Sequence, residues 1–210
     1  MADQYAVAIE GLDTLRSFDE IPAEIIKVAR LTINAATRRA YAQSGREIRR
    51  QVNFPASYVT GQKGRLQITK FATNNDLEGV ITGRQRPTSL ARFVNGSISV
   101  GGARKAGVRV EVKPGSVQRL PGAFLIKLRA GSAAIDTKSN LGLAVRTKNG
   151  RPPPGYKPLP LGKNLWLLYG PSIDQVFYSA RTKRGVAEDI SPNIENFMEK
   201  EFLRLLDVKL

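Results

Sequence analysis

Five arginines between residues 38 and 50 form a dense basic cluster: Arg38, Arg39, Arg46, Arg49 and Arg50. A guanidinium group stays charged and donates paired N–H bonds to phosphate or carboxylate oxygens. The cluster therefore predicts contact with phosphate groups or with the carboxylates of a neighbouring subunit. A solvated helix face is the alternative, because cations near the C-terminal end of a helix are stabilised by the helix dipole.

The sequence contains no histidine and no cysteine, which removes many of the side chains used in catalysis. Serine nucleophiles activated by histidine, thiolate nucleophiles and zinc sites built from thiolates or imidazoles are all excluded. A carboxylate-dependent hydrolase would have to pair acidic residues from the two ends of the chain, where a solvated acidic face is the simpler interpretation. We therefore predict a protein that is not an enzyme and that uses no cofactor and no metal.

Two short motifs resemble binding sites but lack features that such sites need. Residues 102–109 (GARKAGVR) have glycines at the spacing of a phosphate-binding loop but lack the Lys-Ser/Thr pair that contacts phosphate and magnesium. Asn95-Gly96-Ser97 matches a glycosylation acceptor, but the chain begins without the basic and apolar regions of a signal peptide, so we interpret this motif as a turn.

Charge is distributed unevenly along the chain, whose formal net charge is +15. Residues 27–187 hold 29 Lys and Arg against 6 Asp and Glu, whereas the two ends together hold 4 against 12. A basic middle between acidic ends predicts contact with a polyanion, or contact between subunits in which acidic ends meet basic bodies. A solvated basic surface without a dedicated partner is a further interpretation.

Two long helices are predicted, one toward each end of the chain. The first spans residues 22–52, because Pro22 suits a first helical turn and apolar and small residues recur at helical spacing. The second begins at Ser191 and Pro192, where the serine can cap a free amide and the proline occupies the first turn. Its apolar stripe predicts docking on another surface and consists of Ile194, Phe197, Met198, Phe202, Leu205 and Leu206.

Between these helices the apolar pattern changes to a period of two, which is typical of strands. Strands are predicted at residues 5–10, 66–70, 77–82, 108–113, 123–128, 141–146 and 164–169, and short helical segments at 11–18 and 171–179. Pro114-Gly115 and Pro121-Gly122 predict the turns of an antiparallel sheet. The predicted fold class is α+β, with a mainly antiparallel sheet packed with a long N-terminal helix and a C-terminal amphipathic helix, in one domain over residues 1–210.

Residues 151–162 (RPPPGYKPLPLG) hold five prolines and predict no regular hydrogen-bonded structure. Polyproline geometry is stiff enough to project from a globular body. We expect an interaction arm or loop on the surface, and a passive connector is the alternative. Its candidate contact residues are Pro152, Pro153, Pro154, Tyr156, Pro158 and Pro160.

Several short sequence segments resemble segments of the bacteriophage minor tail protein Z family. They are residues 49–59 (RRQVNFPASYV), 83–93 (GRQRPTSLARF), 110–115 (VEVKPG), 121–128 (PGAFLIKL) and 168–177 (LYGPSIDQVF). The opening Ile9-Glu10-Gly11-Leu12 also looks like that of small neck or tail-completion proteins of long-tailed phages. These segments are distributed from residue 9 to the last helix and carry no known catalytic chemistry.

The resemblance implies a structural virion protein at the head-proximal end of a phage tail or neck, made in the host cytoplasm. Such proteins usually complete or join the tail as a ring, often a hexamer, around the DNA channel, in contact with neighbouring tail, terminator or connector proteins and close to genomic DNA. The runner-up interpretation is a basic nucleic-acid-binding protein of a prophage or mobile element. No membrane contact is expected, because no apolar run approaches the roughly 20 residues that span a bilayer.

Overall fold

The computed structural model describes residues 4–8, 21–102, 105–128, 141–148, 150–151, 153–178 and 185–209. Its helices are α1 Ala23–Gln51, α2 Ala56–Val59, α3 Ile173–Tyr178 and α4 Val186–Lys209, with a 3₁₀ turn at Leu90–Phe93. The predicted long N-terminal helix and the predicted short helix at 171–179 are confirmed as α1 and α3. The helical segment predicted at 11–18 lies outside the described residues.

The strands are β1 Gln4–Ala8, β2 Leu66–Lys70, β3 Glu78–Gly83, β4 Thr88–Ser89, β5 Val108–Lys113, β6 Ser116–Leu120, β7 Ala123–Lys127, β8 Leu141–Arg146, β9 Lys157–Gly162 and β10 Leu165–Gly170. Every pairing between these strands is antiparallel. The α+β class with antiparallel sheets is therefore confirmed. All seven predicted strands are present, and β4, β6 and β9 were not predicted.

Contacts divide the chain into two compact units, each assembled from separate stretches of sequence. The first unit comprises Met1–Ile48, Ala56–Arg84 and Ile173–Leu210, and the second comprises Arg49–Pro55 and Gln85–Ser172. The chain passes between the units four times. Compactness alone does not show that a unit folds independently, so the expectation of one domain stays a prediction.

Helix α1 is the main helix of the first unit and is buried along one face. Its buried apolar side chains are Val28, Ala29, Ile33, Ala36, Ala40 and Ile48. Apart from the adjacent pair Val28 and Ala29, their spacing of three, four and eight residues places them on one side of the helix. Small residues in this stripe allow close approach: a Cβ on Gly79 of β3 would lie 2.1 Å from the Thr37 Oγ1 of α1. A larger residue at position 79 would therefore have to displace the Thr37 side chain.

The first unit contains a three-stranded sheet in the order β1-β3-β2. Asn34 of α1 fixes the chain just after β2, because its side chain accepts a bond from the Ala72 amide at 2.8 Å and donates to the Ala72 carbonyl at 3.0 Å. Lys70 at the end of β2 forms ion pairs with Asp76 and Glu78 across the β2–β3 turn. These contacts join the end of β2 to α1 and to the start of β3.

Helix α4 begins five residues earlier than predicted, at Val186 instead of Ser191. Ser191 lies inside the helix, where its hydroxyl donates to the Ala187 carbonyl at 3.1 Å. Pro192 is also inside the helix. An internal proline removes a backbone bond, but the earlier start buries Val186 and Ile190 completely, and this burial offsets the loss.

The second unit contains a sheet in the order β4-β10-β8-β7, with β9 paired to the other side of β10. Its core is built from apolar side chains of these strands and of the 3₁₀ turn, including Leu90, Phe93, Leu125, Leu143 and Leu168. Phe54 packs against Phe93 with 5.3 Å between ring centroids. The near-continuous apolar runs of β7, β8 and β10 reflect this burial.

A separate hairpin in the second unit is formed by β5 and β6. Its turn is the predicted Pro114-Gly115, and Gly115 adopts a φ of 75°, which favours glycine. Val108 and Val110 are buried, while Arg109 between them is exposed. The predicted separation of valines and charged residues onto opposite faces of this strand is confirmed for these positions.

Candidate functional surfaces

Two arginines of the predicted cluster pack against aromatic side chains of the first unit. The guanidinium carbon of Arg38 lies 4.9 Å from the ring centroid of Phe71, and that of Arg39 lies 4.7 Å from the ring of Phe197. Arg39 also donates a long bond to the Asn193 side chain at 3.4 Å. These cation–π contacts give Arg38 and Arg39 a packing function that sequence reasoning did not anticipate.

The other arginines of the cluster, Arg46, Arg49 and Arg50, are exposed on α1. Arg49 and Arg50 occupy the last turn of the helix, where the dipole stabilises a positive charge. All five arginines are exposed, and Arg38 and Arg39 differ from the other three by their contacts with aromatic rings. Contact between the last three and phosphate or carboxylate groups stays a prediction.

The predicted docking face of α4 is buried at its beginning and progressively open toward its end. Ile194 is buried and Phe197 lies under Arg39, while Met198, Phe202, Leu205 and Leu206 are only partly buried. Leu203 and Val208 are exposed to 54% and 71%. Leu203 follows Ile194 by nine residues, about two and a half helical turns, so it projects from the opposite side of the helix. The surface that buries Ile194 cannot also cover Leu203.

The proline-rich segment contains a strand, which corrects the prediction that it has no regular structure. Residues 157–162 form β9, which pairs with β10 from Lys157 to Gly162. Before it, the Tyr156 hydroxyl donates to the Gln118 side chain at 2.6 Å, and burial raises the pKa of Tyr156. Pro153 is half-buried, Pro154 is exposed, and Pro152 lies outside the described residues.

Pro158 and Pro160 are compatible with β9 because of their spacing. Residues two apart in a strand direct their backbone groups to the same side, and a proline has no N–H to donate to a neighbouring strand. The backbone nitrogens of both prolines are therefore expected on the side of β9 that faces away from β10, where no ladder bond is lost. This arrangement leaves the outer edge of β9 poor in donors, as is common for edge strands. Leu159 and Leu161 are 49% and 43% exposed.

Acidic residues of the two chain ends lie only partly within the portion of the chain that the structure describes. No three Asp or Glu residues there are close enough to hold a metal ion. The acidic residues between positions 3 and 20 lie outside that part. Among the described helices, none is both long and apolar enough to cross a membrane.

A cavity on the β5–β6 hairpin was missed by sequence reasoning. Its volume is about 300 Å³, and it is lined by Asn95, Gly96, Ser97, Ile98, Ala106, Gly107, Arg109 and Arg119. The turn predicted at Asn95-Gly96-Ser97 forms one side, with Gly96 at a φ of 98°. The alternation of valines and charged residues in β5 predicts that Arg109 lies on the outer face. The sequence SVQRL of β6 is exposed and has no strand pattern, so the pairing of β6 with β5, and hence the cavity, could not be predicted.

The chain was compared with protein-family models, with curated proteins and with solved structures, and none of the three comparisons gives a match. Function must therefore be inferred from the surfaces described above.

Proposed function

We propose that the protein is a structural component of a bacteriophage tail or neck, located in the virion, that joins or completes the tail as a subunit of a ring around the DNA channel. The observation that carries the proposal is the second half of α4, where apolar side chains continue around the helix beyond the buried face. Phe202, Leu203 and Leu206 lie next to one another on the helix surface and are exposed or only partly buried. Contiguous apolar patches on a protein surface can mark a contact with another protein.

Charge supports a contact with another copy of the same chain. Helix α4 carries six acidic and three basic residues, whereas residues 27–187 are strongly basic. A ring requires a heterologous interface, in which one surface of a subunit meets a different surface of the next. An acidic helix with an apolar stripe and a basic body are two unlike surfaces with opposite charge, as such an interface needs.

Strand β9 and the residues before it are proposed as the contact with the adjacent ring, made by terminator, connector or other tail proteins. Leu159 and Leu161 expose apolar surface on one face of this strand. Because the outer edge is poor in N–H donors, we expect side-chain contacts here and not addition of a further strand.

The test is the oligomeric state of the purified protein, measured by light scattering and imaged by negative-stain electron microscopy. A closed ring is expected, with six subunits as the first expectation. Leu203→Glu is expected to disperse the ring into folded monomers, because it places a charge within the proposed interface. Asn196→Glu is the matched control, since Asn196 is exposed on the same side of α4 two turns earlier. A wild-type protein that stays monomeric at high concentration contradicts the proposal.

The second candidate is a basic nucleic-acid-binding protein of a prophage or mobile element. The net charge of +15 favours it, since Lys and Arg attract phosphate without reading sequence. A monomer whose electrophoretic mobility shifts with DNA, and which forms no ring, favours this candidate.

A further inference from the structure

The β5–β6 hairpin places two positive charges directly opposite each other. Arg109 of β5 is the register partner of Arg119 of β6, and both side chains are exposed on the outer face. Like charges at directly opposed positions of an antiparallel pair repel and destabilise the sheet. The stability of the hairpin therefore does not explain why arginines occupy these two opposed positions.

Both arginines line the cavity described above, and none of the described residues that line it with them is a carboxylate. Arg119 is oriented by a bond from its Nε–H to the Ala106 carbonyl, which leaves its terminal N–H groups available. The carboxylate of Glu111, two residues after Arg109, accepts bonds from the Asn95 side chain and the Gly115 amide, each at 2.9 Å. The acid that could neutralise the pair is thus held by other donors.

The rim of the cavity also depends on its backbone. Gly107 has a φ of 72°, and a Cβ at this position would lie 2.5 Å from the Leu120 carbonyl oxygen. Only glycine allows the chain before β5 to approach the end of β6 so closely. The same close approach keeps Ala106 within reach of Arg119, so the backbone holds one guanidinium at the cavity.

We propose that this cavity, the Arg109–Arg119 site, binds a phosphate group between its two guanidinium groups. Arginine N–H groups match phosphate oxygens in pairs, and a bound anion removes the repulsion between the two charges. The described residues that line the cavity include no aromatic side chain, so they offer no platform for stacking a base. The ligand is therefore defined by its phosphate, whether free or part of a nucleic-acid backbone. This inference does not depend on ring formation.

The test uses the full chain with two probes, pyrophosphate followed by calorimetry and a short duplex DNA of unrelated sequence followed by fluorescence anisotropy. The double variant Arg109→Gln/Arg119→Gln is compared with Lys127→Gln/Lys148→Gln, which removes the same charge from exposed positions of the same unit. We expect the arginine variant to lose affinity by about tenfold or more for each arginine, because bonds to charged groups are strong. The lysine control should retain nearly all of its affinity.

Binding of both probes identifies a backbone phosphate as the ligand, and binding of pyrophosphate alone identifies a free phosphate compound. Either outcome supports the site if the arginine variant loses that binding. Equal losses in the two double variants would show attraction by overall charge only and overturn the proposal. It is also overturned if the wild-type chain binds neither probe. The melting temperature of the arginine variant should be unchanged or slightly raised, since a repulsive pair is removed. If the double variant did not fold, the single variant Arg109→Gln decides between the same outcomes.

Discussion

Helices α1 and α4 of the first unit have similar apolar patterns but different surroundings. The buried side chains of α1 extend from Val28 almost to its end at Ile48, whereas those of α4 end at Ile194, less than halfway along the helix. An apolar stripe predicts that a helix will pack on something. It does not show whether the chain itself supplies that surface. The exposed second half of α4 is therefore the more informative region for function, and α1 for stability.

Truncation of α4 at two positions is expected to have the largest effect. Removing residues 186–210 deletes the buried Val186, Ile190 and Ile194, each worth about 1.5 to 3 kcal/mol, a sum comparable to the stability of a whole domain. We expect this shortened chain to be unfolded by circular dichroism. Removing only residues 203–210 should leave a folded monomer that no longer forms rings. If both truncations unfold the chain, the second half of α4 also contributes to the core, and the proposed difference between α1 and α4 is wrong.

Single truncations of apolar side chains sharpen the same contrast. Ile33 of α1 is completely buried, so Ile33→Ala should lower the free energy of unfolding by about 2 to 5 kcal/mol. Leu203 of α4 is 54% exposed, so Leu203→Ala should change it by no more than about 0.5 kcal/mol. Urea denaturation of the two variants measures both values. A loss at Leu203 as large as that at Ile33 would mean that the monomer buries this residue.

A smaller effect is expected when two exposed arginines of α1 are compared, one of which packs on an aromatic ring. Arg39 lies over the ring of Phe197 in α4, so Arg39→Ala should reduce the free energy of unfolding by about 0.5 to 1 kcal/mol. Arg46→Ala, at an exposed position of the same helix, is the matched control and should have a smaller effect. Urea denaturation measures both effects. Equal effects at the two positions would contradict the packing function of Arg39.

Much of the fold could be predicted from the sequence where the local signal agrees with the tertiary environment. Helix α1 combines a proline in its first turn with a stripe of small and apolar residues, and β5 alternates buried valines with charged residues. The errors arose where tertiary contacts outweigh local preference. Burial of Val186 and Ile190 extends α4 across Pro192, and pairing with β10 turns a proline-rich segment into β9.

The candidate sites were less predictable, because a site depends on which segments meet. The arginine cluster on α1 is evident in the sequence, yet the stacking of Arg39 on Phe197 joins residues far apart in the chain. Arg109 and Arg119 are only ten positions apart, but β6 has an exposed, irregular pattern that gives no strand signal. If β6 is not predicted, its register with β5 is unknown. The sequence then does not show that the two charges lie opposite each other.

A last contrast lies within the exposed half of α4, where one ion pair stabilises the helix. Arg204 donates to both carboxylate oxygens of Glu201 at 2.8 and 2.7 Å, and these bonds lower the pKa of Glu201. Because the folded-state pKa is below that of the unfolded chain, the pair stabilises the fold above the unfolded value, and this contribution is lost as the pH falls through the folded value. We expect Glu201→Gln to lower stability slightly at neutral pH and to have no effect in acid, with Glu199→Gln as the control. Denaturation at several pH values measures the difference, which should be smaller than that for Arg39 because the pair is exposed. A difference that grows in acid would mean that the sign is wrong and that Glu201 is not held by Arg204.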